Sequence, residues 1–248
     1  MYLKTFTILF FLLNYTFFFA QSGIVTYDNS LKPPENFDEL KKSNPEGFKR
    51  INFMFSKMKA FKETLTYTLE FNQAESKFFT NPTLTNDNNK ISEMFLNDIE
   101  YYFDLPNAQR YENKKISGED ILVNEMTLDW NIYNETKIIK GFKCQRAKAV
   151  QIFYSVDRET GKTRTKEQPI EAWFTLEIPF SFGPENYGGL PGLILELSTQ
   201  GNNYRVNDLN IRPTKSLMIK FPDAKNAISD KEAAKKIYNV YNKMLDWQ

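Results

Sequence analysis

At 248 residues, with 32 Lys and Arg against 31 Asp and Glu, the chain is long enough to bury a sizeable core and carries a formal net charge of +1. That balance gives no electrostatic reason to expect nucleic acid or an acidic substrate as partner. Without histidine, and with Cys144 as its one cysteine, the chain cannot form an imidazole base, a Ser-His-Asp or Cys-His arrangement, or an internal disulfide. The usual zinc and iron sites are excluded for the same reason, so no metal ligand, cofactor or catalytic residue is assigned.

In chain order, Lys4 precedes the apolar run Phe6 to Phe19, which ends at Ala20. This reads as a signal peptide over residues 1–20, with cleavage leaving Gln21 first. It is too short for a convincing membrane span, and no cysteine lies near the boundary to carry a lipid. The expectation is an exported protein: periplasmic, associated with the outer membrane, or secreted. Residues 21–248 are then read as one domain, because no repeat or low-complexity linker divides them.

Gly23 to Tyr27 reads as a first strand. Asn44-Pro45 opens a helix, with Asn44 as cap and Pro45 in the first turn, and Phe48, Ile51, Phe55 and Met58 recur on one face. From Thr64 the period becomes two: Leu65, Tyr67, Leu69 and Phe71 alternate with Thr66, Thr68 and Glu70, as in a half-buried antiparallel strand. Ala74 to Phe79 is expected to pair with it. Asn81-Pro82 and Asn86 to Asn89 mark a polar loop that lacks the spacing of a calcium site. Further strands are expected around Tyr101-Phe103, Ile121-Met126, Trp130-Tyr133, Phe142-Tyr154, Glu171-Ile178 and Tyr204-Val206. The charged stretch Asp157 to Gln168 between two of them reads as a hairpin tip. Finally Ser229-Asp230-Lys231-Glu232 forms a capping box, and Ala233, Ile237, Val240 and Met244 give the last helix an apolar face. Strands and helices do not alternate regularly, which argues against a doubly wound fold. The prediction is a β-rich α+β fold: a curved antiparallel sheet or incomplete barrel, with an N-terminal and a C-terminal helix packed on it.

The most determined stretch is Tyr187 to Leu197. Pro191 and Gly192 are expected to form a type II turn, with Gly192 at positive φ, feeding a strand that carries Leu193, Leu195 and Leu197 on one face. The string Gly189-Leu190-Pro191-Gly192-Leu193-Ile194 resembles the signature of the GLPGLI family of exported bacterial proteins. Further matching blocks are Gly141 to Ala147, Ala172-Trp173-Phe174-Thr175, Glu177-Ile178-Pro179 and Gly183-Pro184. The likeness spans residues 130 to 212, with a looser match near Ile24 to Tyr27. It implies export but carries no settled activity.

Four residues are candidate ligand contacts. Trp173 and Glu177, four apart in a strand, would share a face; if that face lines a cavity, Glu177 would have a raised pKa. Tyr187 and Leu190 would sit on the rim formed by the loop Pro179 to Gly192. The plainer readings place Trp173 in the core, Glu177 on nearby backbone, Leu190 tucked inward and Cys144 as a buried filler. Aromatic residues make up 15% of the chain, which favours a large interior or an apolar cavity. The expected function is therefore non-enzymatic binding of an apolar small molecule, a lipid or an envelope protein. The alternatives are a protein–protein adaptor acting through the 179–192 loop, and a hydrolase built on carboxylates. For the last, Glu171 and Glu177 lie about 20 Å apart along a strand, too far to share a bond.

Overall fold

The computed structural model describes residues 22–81, 99–212 and 217–245. The apolar N-terminal stretch, the Asn86 to Asn89 loop and the side chain of Met244 lie outside the described residues. Twelve strands form one open sheet: β1 (Ser22–Leu31), β2 (Thr66–Phe71), β3 (Glu75–Asn81), β4 (Glu100–Asp104), β5 (Gln109–Ile116), β6 (Glu119–Glu125), β7 (Asn131–Ile139), β8 (Phe142–Val156), β9 (Thr163–Thr175), β10 (Leu193–Ser198), β11 (Asn202–Arg212) and β12 (Ile228–Ser229). Their spatial order is β12-β6-β5-β4-β3-β2-β1-β11-β10-β9-β8-β7, and every neighbouring pair is antiparallel except the two-residue pairing of β12 with β6. Among the described residues, three α-helices accompany it: α1 (Phe37–Ser43), α2 (Pro45–Lys62) and α3 (Asp230–Leu245). This is the β-rich α+β architecture expected, an incomplete barrel.

Helix α3 bridges the two ends of the sheet. This helix lies against β6 and β12 near one end and against β8 near the other. Ala233 and Val240 of α3 join Ile116, Ile121 and Val123 in a small apolar cluster. Ile237, expected on that buried face, is instead largely exposed. Between the two ends, Gln151 Nε2 donates to Glu125 Oε2 at 3.3 Å. The start of α3 is set locally, as its sequence predicts: Ser229 Oγ accepts from the Glu232 amide at 3.3 Å, and Glu232 Oε2 accepts from the Ser229 amide at 2.9 Å.

Two other segments depart from the sequence expectation. The charged stretch after Asp157 is a tip only as far as Lys162; from Thr163 it is strand, paired with β8 from Val156↔Thr163 to Cys144↔Thr175. Backbone pairing carries this long arm, whose outer residues are largely exposed and so leave no apolar alternation to read. β5 is hidden in the same way, since Arg110, Glu112, Lys114 and Lys115 break the apolar pattern.

Helix α2 begins as its sequence predicts: Pro45 occupies the first turn and Asn44 Oδ1 accepts from the Gly47 amide at 2.9 Å. Its packing is unusual. None of its residues is buried, although Phe48, Ile51, Phe55 and Met58 share a face. Phe61, in its last turn, reaches the main core. Farther up, Phe37 of α1 meets Phe48 and Phe55 edge-on, with centroids 5.5 and 5.3 Å apart. The hairpin thus stands over the rim of the sheet rather than lying flat on it.

Candidate functional site

The concave face of the sheet, the expected place for an apolar ligand, is filled by the chain's own 178–192 loop. Phe180 and Phe182 stack against Phe71 at 4.7 and 5.7 Å between centroids, and Phe182 meets Phe103 edge-on at 5.9 Å. Loop backbone is pinned from several sides. The Gly189 amide donates to Ser181 O at 2.9 Å, and the Ile194 amide to Phe182 O at 3.0 Å. Trp130 Nε1 donates to Gly188 O at 2.9 Å, and Tyr27 Oη to Ile194 O at 2.7 Å. Tyr187 and Leu190 are 3% and 1% exposed, so neither forms a rim.

The turn chemistry is corrected as well. Positive φ falls at Gly189 (86°) and at Glu185 (55°), not at Gly192. Gly192 is required for another reason: a Cβ there would overlap the Thr175 carbonyl oxygen. Past Pro191, the strand is bulged. Leu193 and Ile194 pair with Thr175 and Phe174, but Glu196 pairs with Trp173, leaving Leu195 as the extra residue. Leu193, Ile194 and Leu195 are therefore all buried, where simple alternation would place Ile194 outside.

Trp173 and Glu177 do not share a strand face. Strand β9 ends at Thr175, so the alternation that would carry Trp173's face to Glu177 stops short. Trp173 is half-buried against the margin of the main core, with Lys137 Nζ 4.3 Å above its ring and its Nε1 donating to Glu171 Oε1 at 3.3 Å. Glu177 is exposed and accepts from the Lys143 amide at 2.8 Å. Cys144 is a buried filler whose thiol is pushed up to about 11, chiefly by burial.

Behind the loop lies a polar network that the sequence reading missed. Arg110 is 2% exposed and fully engaged. Its Nη1 donates to Met126 O at 2.7 Å and its Nε to Asn186 O at 3.2 Å; its Nη2 donates to Asn186 Oδ1 at 2.8 Å and pairs with Glu125 Oε2 at 3.0 Å. The guanidinium lies 4.8 Å from the Tyr187 ring, and Tyr187 Oη donates to Gln151 Oε1. Glu112 pairs with Lys114 at 2.6 Å; burial, with the neighbouring Glu125, raises its pKa. Glu185 accepts from Tyr204 Oη at 2.9 Å and from Asn202 Nδ2 at 3.2 Å. Burial, aided by the charges of Glu125 and Glu112, pushes it up to about 7 against the pull of Tyr204 and Lys62. Burial also holds Tyr101, Tyr187 and Tyr204 neutral. Each carboxyl here is already bonded to the fold, which makes the network a satisfied interior rather than a place for a reacting bond.

The open space lies elsewhere. A cleft of about 690 Å³ runs between the α1–α2 hairpin and the sheet rim. Leu31, Pro34, Phe55 and Met58 give it apolar walls; Lys32, Lys62 and Lys166 bring three ammonium groups, and Gln200 to Asn202 close its end. The cleft exists because β1 runs on to Leu31, where it pairs with Asn202, and the chain then leaves through Pro33-Pro34 before α1 begins. Phe55 and Met58 carry a readable signal in their helical spacing. The three lysines carry none, being far apart in sequence and joined only by topology.

Over residues 130–196 the chain matches a family model described as "Protein of unknown function (Porph_ging)". That stretch holds β7, β8, β9 and the loop that fills the sheet. Within it, the chain is similar to a family without an assigned activity. No curated protein matches the chain by sequence. Among solved structures, "Structure of PNGF-II in C2 space group" is similar at a TM-score of 0.47 and 16% identity, covering 88% of this chain and 33% of that one. "Structure of PNGF-II in P21 space group" is similar at 0.44 and 16%, covering 83% and 30%. The chain thus spans about a third of the length of either. Among the described residues, no helix is long and apolar enough to cross a membrane, and no three Cys, Asp or Glu side chains are grouped to hold a metal ion.

Proposed function

We propose that this chain is an exported envelope protein of the GLPGLI type that binds an apolar ligand without catalysis, in the cleft beneath the α1–α2 hairpin. Export rests on the apolar N-terminal run and on the family resemblance. The observation that carries the binding reading is the incompletely covered apolar face of α2: none of that helix's residues is buried, and Phe55 and Met58 border about 690 Å³ of open space. A helix with such a face normally gains its stability by burying it. The volume also lies in the range of small-molecule sites. The alternatives have less support. An adaptor working through the 179–192 loop would have to do without Tyr187 and Leu190, which are buried. A carboxylate hydrolase would have to free Glu112, Glu125 or Glu185 from the bonds that hold them.

The test is titration of the purified chain with N-phenyl-1-naphthylamine, a neutral dye that brightens in apolar surroundings. Saturable binding of one dye per chain is expected, weakened at least tenfold in a Phe55→Asp, Met58→Asp double variant. Absence of saturable binding, or binding that the double variant leaves unchanged, removes the cleft as the site.

A further inference from the structure

Resting on the cleft as the binding site, we infer that its ligand is an anionic amphiphile: an apolar chain ending in a carboxylate or a similarly compact anion. The argument is one of unmet charge. Lys32 at the end of β1, Lys62 at the end of α2 and Lys166 on β9 border the same space, and Glu35 is the one acid lining it. Among the described residues, none of the three ammonium groups lies within ion-pair distance of a carboxylate. Lys32 Nζ donates to Ser198 Oγ and, at 3.1 Å, to Thr199 O; Lys166 Nζ donates to Gln200 Oε1 at 2.9 Å. Every one of these acceptors is neutral.

Partly buried lysines elsewhere in the chain are treated differently. Lys77 pairs with Glu100 at 2.5 Å, Lys114 with Glu112 at 2.6 Å, and Lys137 with Glu196. Lys32 and Lys62 are half-buried and Lys166 is exposed, and holding three such cations together without an ion-paired carboxylate is unfavourable unless something anionic joins them. Lys62 shows the cost most clearly: burial disfavours its charged form, and only the charge of Glu185, across the rim, opposes that. The apolar walls and the cations lie along one cleft, so a single molecule meets both by laying its chain against Phe55 and Met58 with its head among the lysines.

The experiment compares cis-parinaric acid, an 18-carbon carboxylate, with its methyl ester, which has the same chain and no charge. The acid is expected to bind at least tenfold tighter than the ester. Combining Lys32→Met, Lys62→Met and Lys166→Met should abolish the acid's advantage over the ester, and retained saturable binding of the ester shows that the variant is folded. Equal affinities in the unmodified chain would overturn the inference and leave the apolar cleft standing. So would full displacement of the acid by millimolar inorganic phosphate, which would mark a simple anion site. If the neutral dye also fails to bind, the cleft itself is lost as a site.

Discussion

The interior around the 178–192 loop and the cleft under the α1–α2 hairpin are built from similar materials, phenylalanines beside charged groups, and treat them in opposite ways. Inside the loop, aromatic rings interlock with Phe71 and Phe103, and the deeply buried cation Arg110 has hydrogen-bond partners at Nε and at both terminal nitrogens. In the cleft, the aromatic face of α2 is only partly covered, by Phe37, and Lys32 and Lys166 make do with neutral acceptors. The lesson concerns where a curved sheet keeps room for a ligand. Its concavity is the obvious place, but here the chain fills it with its own loop. The cleft in which we propose binding lies at the rim instead.

Two glycines give the largest contrast and the simplest way to break this comparison. At Gly192 a Cβ would overlap the Thr175 carbonyl oxygen, part of a paired strand that cannot give way cheaply. Gly192→Ala is therefore expected to cost about 3 kcal/mol or more. At Gly201, on the cleft wall, an added Cβ would meet nothing within 4 Å and φ is not positive, so Gly201→Ala should stay within about 1 kcal/mol of the original. Urea denaturation of both variants decides the matter. Similar small losses at the two sites would mean that the loop interior is as loosely packed as the cleft.

The same pair shows what can be read in the sequence. Gly192 stands out there as a special position, but for a local reason, positive φ, when the real one is a long-range contact with β9. Local signals translate well: the Asn44 cap, Pro45 in the first turn and the Ser229–Glu232 capping box stand where the sequence puts them, and the alternation of Leu65 to Phe71 holds except at Thr68, which is buried. Signals that assume uninterrupted elements fail. Glu177 loses its shared face with Trp173 because β9 ends at Thr175, and Ile194 turns inward because the strand bulges at Leu195. The cleft is legible only on its helical side. Lys32, Lys62 and Lys166 become neighbours through the pairing order of the sheet, which no spacing rule encodes.

Glu185 links the two regions and offers a sharper, mid-sized test. It sits in the filled interior yet bonds to Asn202 of the cleft wall and attracts Lys62. Its folded pKa of about 7 lies above the unfolded value near 4.5. Between those values the folded chain holds a proton that the unfolded chain has lost. The favourable contribution is thus complete below about pH 4.5 and disappears as the pH rises to about 7. Glu185→Gln keeps an acceptor for Tyr204 and removes the titration. It is expected to flatten this part of the stability profile and to gain roughly 1–3 kcal/mol at pH 8. Denaturation midpoints measured from pH 4.5 to 8 check it; an identical slope in the variant would show that the carboxylate is not held away from water.

The smallest expected effect tests the open side of the comparison directly. Ile51 and Met54 lie on the apolar side of α2 yet are 46% and 48% exposed. Replacing a buried Ile or Met with a small residue usually costs about 2–5 kcal/mol, because transfer energy is lost and a cavity remains. Here little burial can be lost, and serine costs a helix only a few tenths of a kcal/mol in propensity. Ile51→Ser and Met54→Ser should therefore each stay within about 0.5 kcal/mol of the original by chemical denaturation. A loss near 2 kcal/mol at either position would mean that the helix face is covered in solution. The hairpin would then be closed onto the rim, and the space that an amphiphile needs would not be there.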